Sequence, residues 1–549
     1  MRVLLLCSAF NGLSQRAWSL LRSRGHEVTV RTVGDEADAI AAAADTAPDL
    51  ILCPFLKHRV PAEVWRRHRT IIIHPGPEGD RGPSSLDWAI SDGEPVWGVT
   101  ALQAVEDLDA GPVWASRAFA LPADPPRKST LYNTRVADAA MELLVEVVAK
   151  AQDPGFTPRR VEGRARPAMR QADRAFDWGA SAEDVLRRIR AADGSPGVRT
   201  TLAGIPVAVF DAHPGRASPG EPGGIVARRH GAVLVRTGDG AVWIGQVRRR
   251  DGALPAVKLP AVAALGRAVA GVPEALAPVA SEDDGGFREI TYRRAGEAGL
   301  LRFAFYNGAM STGQCRRLAA ALRYAAAQDT KVLVLAGGEP FCNGIHLGVI
   351  EASPNPAVEA WRNINAINDV CREIITCTRQ LVVCALGGNA GAGGVMLALG
   401  ADRVVAREGI VLNPHYRTMG LYGSEYWTYV LPRRAGEAEA RRLTSRCLPV
   451  SAAEAAGLGL VDHVAGEGPK AFPGAVLDYA ASLAGGSVLG KRAARAADEQ
   501  RRPLETYRVR ELAEMSHDIF ENRHGFAQAR HAFLGKHAPV AGGVLATAR

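Results

Sequence analysis

Short apolar runs recur along this chain at spacings that leave room for one helix between them, and that rhythm restricts the fold more than any single motif. Val3–Cys7, Glu27–Val33, Leu50–Cys53 and Ile71–Ile73 read as strands, and Ser14–Arg24, stopped by Gly25, reads as the first helix. A strongly amphipathic helix follows at Ala137–Ala151. This βαβ order predicts a doubly wound parallel sheet with ligands at the carboxyl ends of its strands. No GxGxxG follows the first strand, so a dinucleotide fold in the strict sense is not expected. The N-terminal apolar run is too short for a signal peptide and reads as a buried strand. No apolar stretch reaches the ~20 residues of a membrane span.

The rhythm then changes twice. Residues 155–168 are rich in Pro and Arg and read as a linker. Phe176–Ala192 predicts a helix capped by Ser181, with Glu183 and Asp184 in its first turn. From Val198 to Leu259 short strands alternate with Gly/Pro turns, as in a small barrel-like β domain. A second linker is expected at 263–285, after which the α/β rhythm returns. Strands are predicted at Leu300–Phe305, Lys331–Leu335, Leu381–Leu386 and Arg403–Ala406, helices at Thr312–Ala327 and Gly394–Leu399, and a largely helical C-terminus. The expected fold class is α/β and multidomain, with domains at 1–160, 168–262 and 286–549, because 549 residues exceed what one core serves.

Composition narrows the function. With 47% hydrophobic and 23% charged residues the chain is globular, not disordered. The net charge of +8 comes from scattered Arg, which reads as a solvated basic surface rather than a nucleic-acid site and leaves anionic small molecules as plausible partners. The eight Cys include no CxxC pair and mostly sit in apolar runs, so they read as buried thiols in a reducing cytoplasm, with no metal site.

Two constellations carry chemistry. The first begins at the end of the strand Ile71–Ile73 with His74-Pro75-Gly76-Pro77 and continues through Asp80-Arg81-Gly82-Pro83 to Asp87-Trp88-Ala89-Ile90; farther on come Leu108-Asp109-Ala110-Gly111. A His at a strand end suits acid–base work near neutral pH, and a carboxylate nearby could hold it or share its proton. Taken singly, His-Pro and Asp-x-Gly are also ordinary turns. Together these segments resemble the formyltetrahydrofolate-dependent formyltransferases. The resemblance implies 10-formyltetrahydrofolate as formyl donor, His74 and Asp109 as catalytic, a pterin loop at Pro54–Pro61, and a family C-terminal domain from Phe176 to about Leu259. The family's amide-bearing Asn falls on Ile72, and loss of one oxyanion donor can cost ~10²–10³ in rate. A thiol acceptor, partly ionised near neutrality, would ease that loss.

The second constellation pairs Gly337-Gly338-Glu339-Pro340-Phe341-Cys342-Asn343-Gly344-Ile345 with Gly387-Gly388-Asn389-Ala390-Gly391-Ala392-Gly393-Gly394. A Gly-rich turn entering a helix presents N–H groups to an anion, or serves tight packing. The two segments resemble the crotonase (enoyl-CoA hydratase/isomerase) superfamily over about residues 290–470. That implies coenzyme A as ligand, an oxyanion hole at the N–H groups of Ile345 and Gly393, and a CoA-lining segment containing Asn307, Ala309 and Met310. The hydratase's two catalytic Glu fall on Met396 and His415, which leaves no base for hydrating an alkene. Candidate chemistry moves to His415, Tyr416 and Glu425, the last two natural partners for a proton relay.

The two modules on one chain, with Phe10–Arg16 and Asn413–Trp427, resemble the HypX/HoxX family of hydrogenase maturation factors. The resemblance implies carbon monoxide synthesis for nickel–iron hydrogenase: formyl passes from 10-formyltetrahydrofolate to CoA, and formyl-CoA splits to CO and CoA. It also implies CoA contacts at Gln15, Lys128 and Ser195, and a cytoplasmic protein that meets small molecules and other maturation proteins, without nucleic acid or membrane. Whether Tyr416 and Glu425 take the formyl hydrogen or protonate the sulfur stays open. Two alternatives remain: formyl-CoA or formate made without CO, or a CoA-binding scaffold of decayed modules, suggested by Ile72, Met396 and His415.

Overall fold

A computed structural model describes residues 1–216, 218–281, 285–466 and 468–535, and the backbone of 544–548. The chain forms two compact units, one built mainly on Met1–Ala275 and the other on Arg288–Lys536.

The first unit holds a seven-stranded sheet in the order Val544–Ala548, Glu27–Thr32, Arg2–Cys7, Leu50–Phe55, Thr70–His74, Val96–Gln103, Val113–Ala120. Its central four strands are parallel, as the βαβ rhythm predicts. The remaining pairings are antiparallel. The reason is local for the last pair: the loop between Val96–Gln103 and Val113–Ala120 is too short for a crossover helix and can only close a hairpin. The helix Ala137–Gln152 buries Leu143, Leu144, Val147 and Val148.

Residues 155–168 are more than a linker. Arg164–Ala165 pairs in parallel with Asp80–Arg81, and Arg159 bridges Val113, so the segment fastens the loop after His74. The helix Ala182–Ala192 starts at the predicted cap, where Ser181 Oγ accepts the Asp184 N–H at 3.2 Å. The β region is an antiparallel sheet in the order Ile225–Arg229, Ala232–Arg236, Ala241–Arg249, Ile205–Gly215, Val198–Leu202, with Leu259–Pro260 on Ala241–Arg249. The expected second linker begins instead with a helical stretch, Ala261–Leu265 then Gly266–Val269, because Ala261, Ala264, Leu265 and Val269 bury themselves. Residues 282–284 of that linker lie outside the described residues.

The second unit carries a sheet in the order Ile290–Ala295, Ala298–Phe303, Val332–Ala336, Leu381–Leu386, Arg403–Arg407, His463–Ala465. All its pairings are parallel except the first hairpin. Thr312–Ala326, opened by a capping box between Ser311 and Gln314, packs on it, and Pro356–Ile375 packs on that helix. A small second sheet joins Ala390–Gly391, Val411–Asn413 and Val450–Ser451. Helices Gly468–Leu483, Leu489–Arg501, Leu504–Phe520 and Phe526–Gly535 close the unit. All eight cysteines are free thiols, seven of them buried. Among the described residues no helix is long and apolar enough to cross a membrane.

Candidate active sites

His74 is the last residue of its strand, and its side chain is only 4% exposed. Asp109 comes from the hairpin loop between Val96–Gln103 and Val113–Ala120 and adopts a left-handed φ of 54°. Its Oδ2 lies 3.5 Å from His74 Nδ1 and accepts the Gly82 N–H at 3.2 Å. The structure therefore brings the two predicted residues together. It also adds one the sequence reading passed over. Asp80 Oδ2 is 2.9 Å from His74 Nε2, so the shorter bond to the imidazole is with Asp80, not Asp109. Burial works to raise the Asp80 carboxyl, but hydrogen bonds from His74 and Ser85 and the Arg166 charge outweigh it and hold Asp80 below the usual carboxylate range. Ile72, where the formyltransferases carry Asn, packs against the apolar cluster of Leu4, Ile51 and Val64 and offers no donor.

The segment Pro54–Pro61 leaves the strand Leu50–Phe55 with Lys57 over the Phe55 ring and its N–H on Ser8 Oγ. Gln15, in the first helix, donates from its side-chain amide to the Phe10 carbonyl at 2.9 Å. Lys128 and Ser195 do meet: Lys128 Nζ lies 2.7 Å from the Ser195 carbonyl. The same ammonium is 2.9 Å from Asp87, which Arg174 also binds. Burial pulls the Lys128 amine down, against the Asp87 charge. Lys128 is thus already engaged by protein groups.

In the second unit, glycines bring the predicted turn segments into contact. A Cβ built on Gly344 would lie 3.4 Å from the Gly393 nitrogen, which places the Ile345 strand-like segment beside the start of the helix Gly393–Leu399. The first-turn N–H groups of that helix have no intrahelical acceptor. Asn307 (φ 55°) presents its carbonyl to the Asn343 amide, Ala309 N–H bonds back to Tyr306, and Met310 N–H bonds to the Gly344 carbonyl. The predicted CoA-lining segment is therefore tied to the Ile345 turn. Met396, at one hydratase Glu position, is fully buried in the core. His415, at the other, has Nδ1 3.3 Å from Thr418 Oγ1, and burial pulls its imidazole below the ordinary value.

Tyr416 donates its hydroxyl to Glu425 Oε2 at 2.9 Å. The same oxygen accepts from Ser424 Oγ at 3.0 Å and from the Ser424 N–H at 3.2 Å. A Cβ on Gly393 would collide with the Glu425 carboxylate, so Glu425 lies directly against the predicted oxyanion hole. Burial raises the Glu425 carboxyl despite those bonds, and burial together with the Glu425 charge raises the Tyr416 phenol.

Glu425 and Tyr426 are both left-handed, at φ 62° and 59°, which is costly for side chains of that size. The turn is held from outside. Asn368 Oδ1 accepts the Glu425 N–H at 2.7 Å, and Glu511 accepts the N–H groups of Tyr426 at 2.9 Å and Thr428 at 2.8 Å. Glu511 went unseen in the sequence, yet a signal exists: Arg508, Glu511, Met515 and Asp518 form one buried stripe on the helix Leu504–Phe520, and charges on a buried stripe ask for partners.

Comparison with known proteins follows the same division. Residues 14–148 match the formyl transferase model, 168–258 the formyl transferase C-terminal domain, and 305–542 enoyl-CoA hydratase/isomerase. Hydrogenase maturation factor HoxX of Bradyrhizobium diazoefficiens is 44% identical across 98% of this chain and 95% of its own. The chain belongs to the HypX/HoxX family of hydrogenase maturation factors. The crystal structure of Aquifex aeolicus HypX in complex with tetrahydrofolic acid matches at TM-score 0.96 and 40% identity, over 99% of this chain and 98% of that one. A methionyl-tRNA formyltransferase of Burkholderia multivorans is 32% identical over 40% of this chain. The HypX/HoxX architecture thus unites a formyltransferase module and a crotonase-like module, as the two constellations implied.

Proposed function

We propose that this chain makes carbon monoxide for nickel–iron hydrogenase maturation in the cytoplasm, by formyl transfer from 10-formyltetrahydrofolate to CoA followed by decarbonylation of formyl-CoA. The observation that carries the reading is the Tyr416–Glu425 pair against Gly393, in a module that has Met396 and His415 where the hydratase glutamates would fall. Tetrahydrofolic acid bound to the Aquifex aeolicus relative supports the folate donor.

In the first reaction the C–N bond to the folate nitrogen breaks and a C–S bond forms, while one proton passes from the thiol to that nitrogen. His74, which lies between Asp80 and Asp109, carries it in this reading. Ile72 offers no oxyanion donor, and the thiol's partial ionisation lowers the demand for one. In the second reaction the C–S bond of formyl-CoA breaks, CO leaves, and one proton passes from the formyl carbon to sulfur. The N–H groups of Ile345 and Gly393 polarise the carbonyl, and Glu425 with Tyr416 moves the proton. In the second unit Asn307, Ala309 and Met310 are the candidates for CoA contacts, and in the first unit Gln15, Lys128 and Ser195 are, with Lys128 limited by its Asp87 pair.

The test is one incubation with formyl-labelled 10-formyltetrahydrofolate and CoA. Labelled CO in the headspace is expected. Labelled formyl-CoA or formate without CO would restrict the function to formyl transfer. CoA binding with no folate turnover would leave a scaffold.

A further inference from the structure

We propose that Asp80 is the residue that positions His74 for formyl transfer, and that Gly76 is glycine in order to admit the His74–Asp80 pair. This rests on the formyl-transfer reading of the first unit. An imidazole as buried as His74 has little water to orient it, so its direction is set by its hydrogen bonds. The shorter contact is Asp80 Oδ2 at 2.9 Å from Nε2, whereas the Asp109 oxygen near Nδ1 stands at 3.5 Å and is shared with the Gly82 N–H.

Asp80 is itself fixed on several sides. Its N–H donates to the Pro77 carbonyl at 3.0 Å, and its Oδ1 is 3.6 Å from the Arg166 guanidinium. The loop that carries it is clamped by the strand Arg164–Ala165, through Arg164 N–H to the Gly79 carbonyl and Arg166 N–H to the Arg81 carbonyl, each at 2.8 Å. A carboxylate held this rigidly can hold an imidazole in one orientation.

Gly76 supplies an independent observation. Its φ is not in the left-handed range, so its conformation does not ask for glycine. A Cβ there would overlap both Asp80 Oδ2 and His74 Nε2. The missing side chain makes room for this one contact. Asp80 acts through His74, and Asp109 is the carboxylate beside the other ring nitrogen.

The experiment compares full-length wild type with Asp80→Asn, Gly76→Ala and the double variant. Formyl transfer from 10-formyltetrahydrofolate to CoA is followed, with kcat and KM separated. Each single change should lower kcat about 10–100-fold and leave both KM values near wild type. The double variant should be no slower than the slower single, because both changes break the same contact. Losses that multiply, a rise in KM at unchanged kcat, or a wild-type rate in either single would overturn the assignment. A second readout does not depend on activity: the downfield imidazole N–H proton resonance that His74→Gln removes should also vanish in Asp80→Asn and Gly76→Ala. If wild type transfers no formyl, the functional reading fails on its own, and persistence of that resonance in Asp80→Asn would separately overturn the pairing.

Discussion

Tyr416 and Glu425, nine residues apart, share a 2.9 Å hydrogen bond inside the second unit, and the carboxylate of that pair lies against Gly393. Tyr416→Phe and Glu425→Gln keep side-chain size and remove the ionisable proton. Each should cut CO release from formyl-CoA by ~10²–10⁴ and leave formyl transfer intact. Headspace CO and labelled formyl-CoA or formate, measured together, check this. CO at the wild-type rate from the double variant would remove the pair from the mechanism.

Gly393→Ala tests the same place from the other side. The added Cβ would run into Glu425, whose carboxylate is held by Tyr416 and Ser424 and cannot easily withdraw. CO release should fall at least tenfold, while folate-dependent formyl transfer persists. A variant as fast as wild type would show that Glu425 need not sit against the helix start.

His74→Ala and Asp109→Ala should each lower consumption of 10-formyltetrahydrofolate by ~10²–10⁴. Synthetic formyl-CoA given to either protein should still yield CO, since the residues assigned to that step lie in the other unit. Loss of both reactions in a folded His74→Ala protein would contradict the division of labour.

Glu511 predicts a pH dependence of stability. Burial pushes its carboxyl from an ordinary 4.5 up to about 8, with the Glu425 charge adding and the bonds from Thr428 and Tyr426 opposing. The folded state then holds the proton more tightly than the unfolded chain. Its contribution is full below the ordinary value and is lost as pH rises toward 8, at no more than ~1.4 kcal/mol per pH unit. Glu511→Gln should flatten that decline in denaturation curves taken from about pH 5 to 8. An unchanged slope would mean that Glu511 does not titrate there.

Much was legible in the sequence because it is written in local order. The strands around Leu5, Leu52, Val334 and Val383 announce themselves as apolar runs, and Ser181 and Ser311 mark helix starts by capping chemistry that needs only their near neighbours. His74, Asp109, Tyr416 and Glu425 are marked out by the resemblance of their segments to known families, since each motif taken singly reads as a turn or as core.

What the tertiary structure alone decided are the groups that act across sequence distance. Asp80 is six residues from His74, but nothing local says that a strand at Arg164–Ala165 will clamp its loop or that the empty space at Gly76 will let the two side chains meet. Glu511 reaches the strained Glu425–Tyr426 turn from a helix 85 residues along the chain. Periodicity reports which face of an element is buried. The partner that face meets depends on how distant elements pack, and in this protein that packing chooses which carboxylate meets the His74 imidazole and which holds the Glu425–Tyr426 turn.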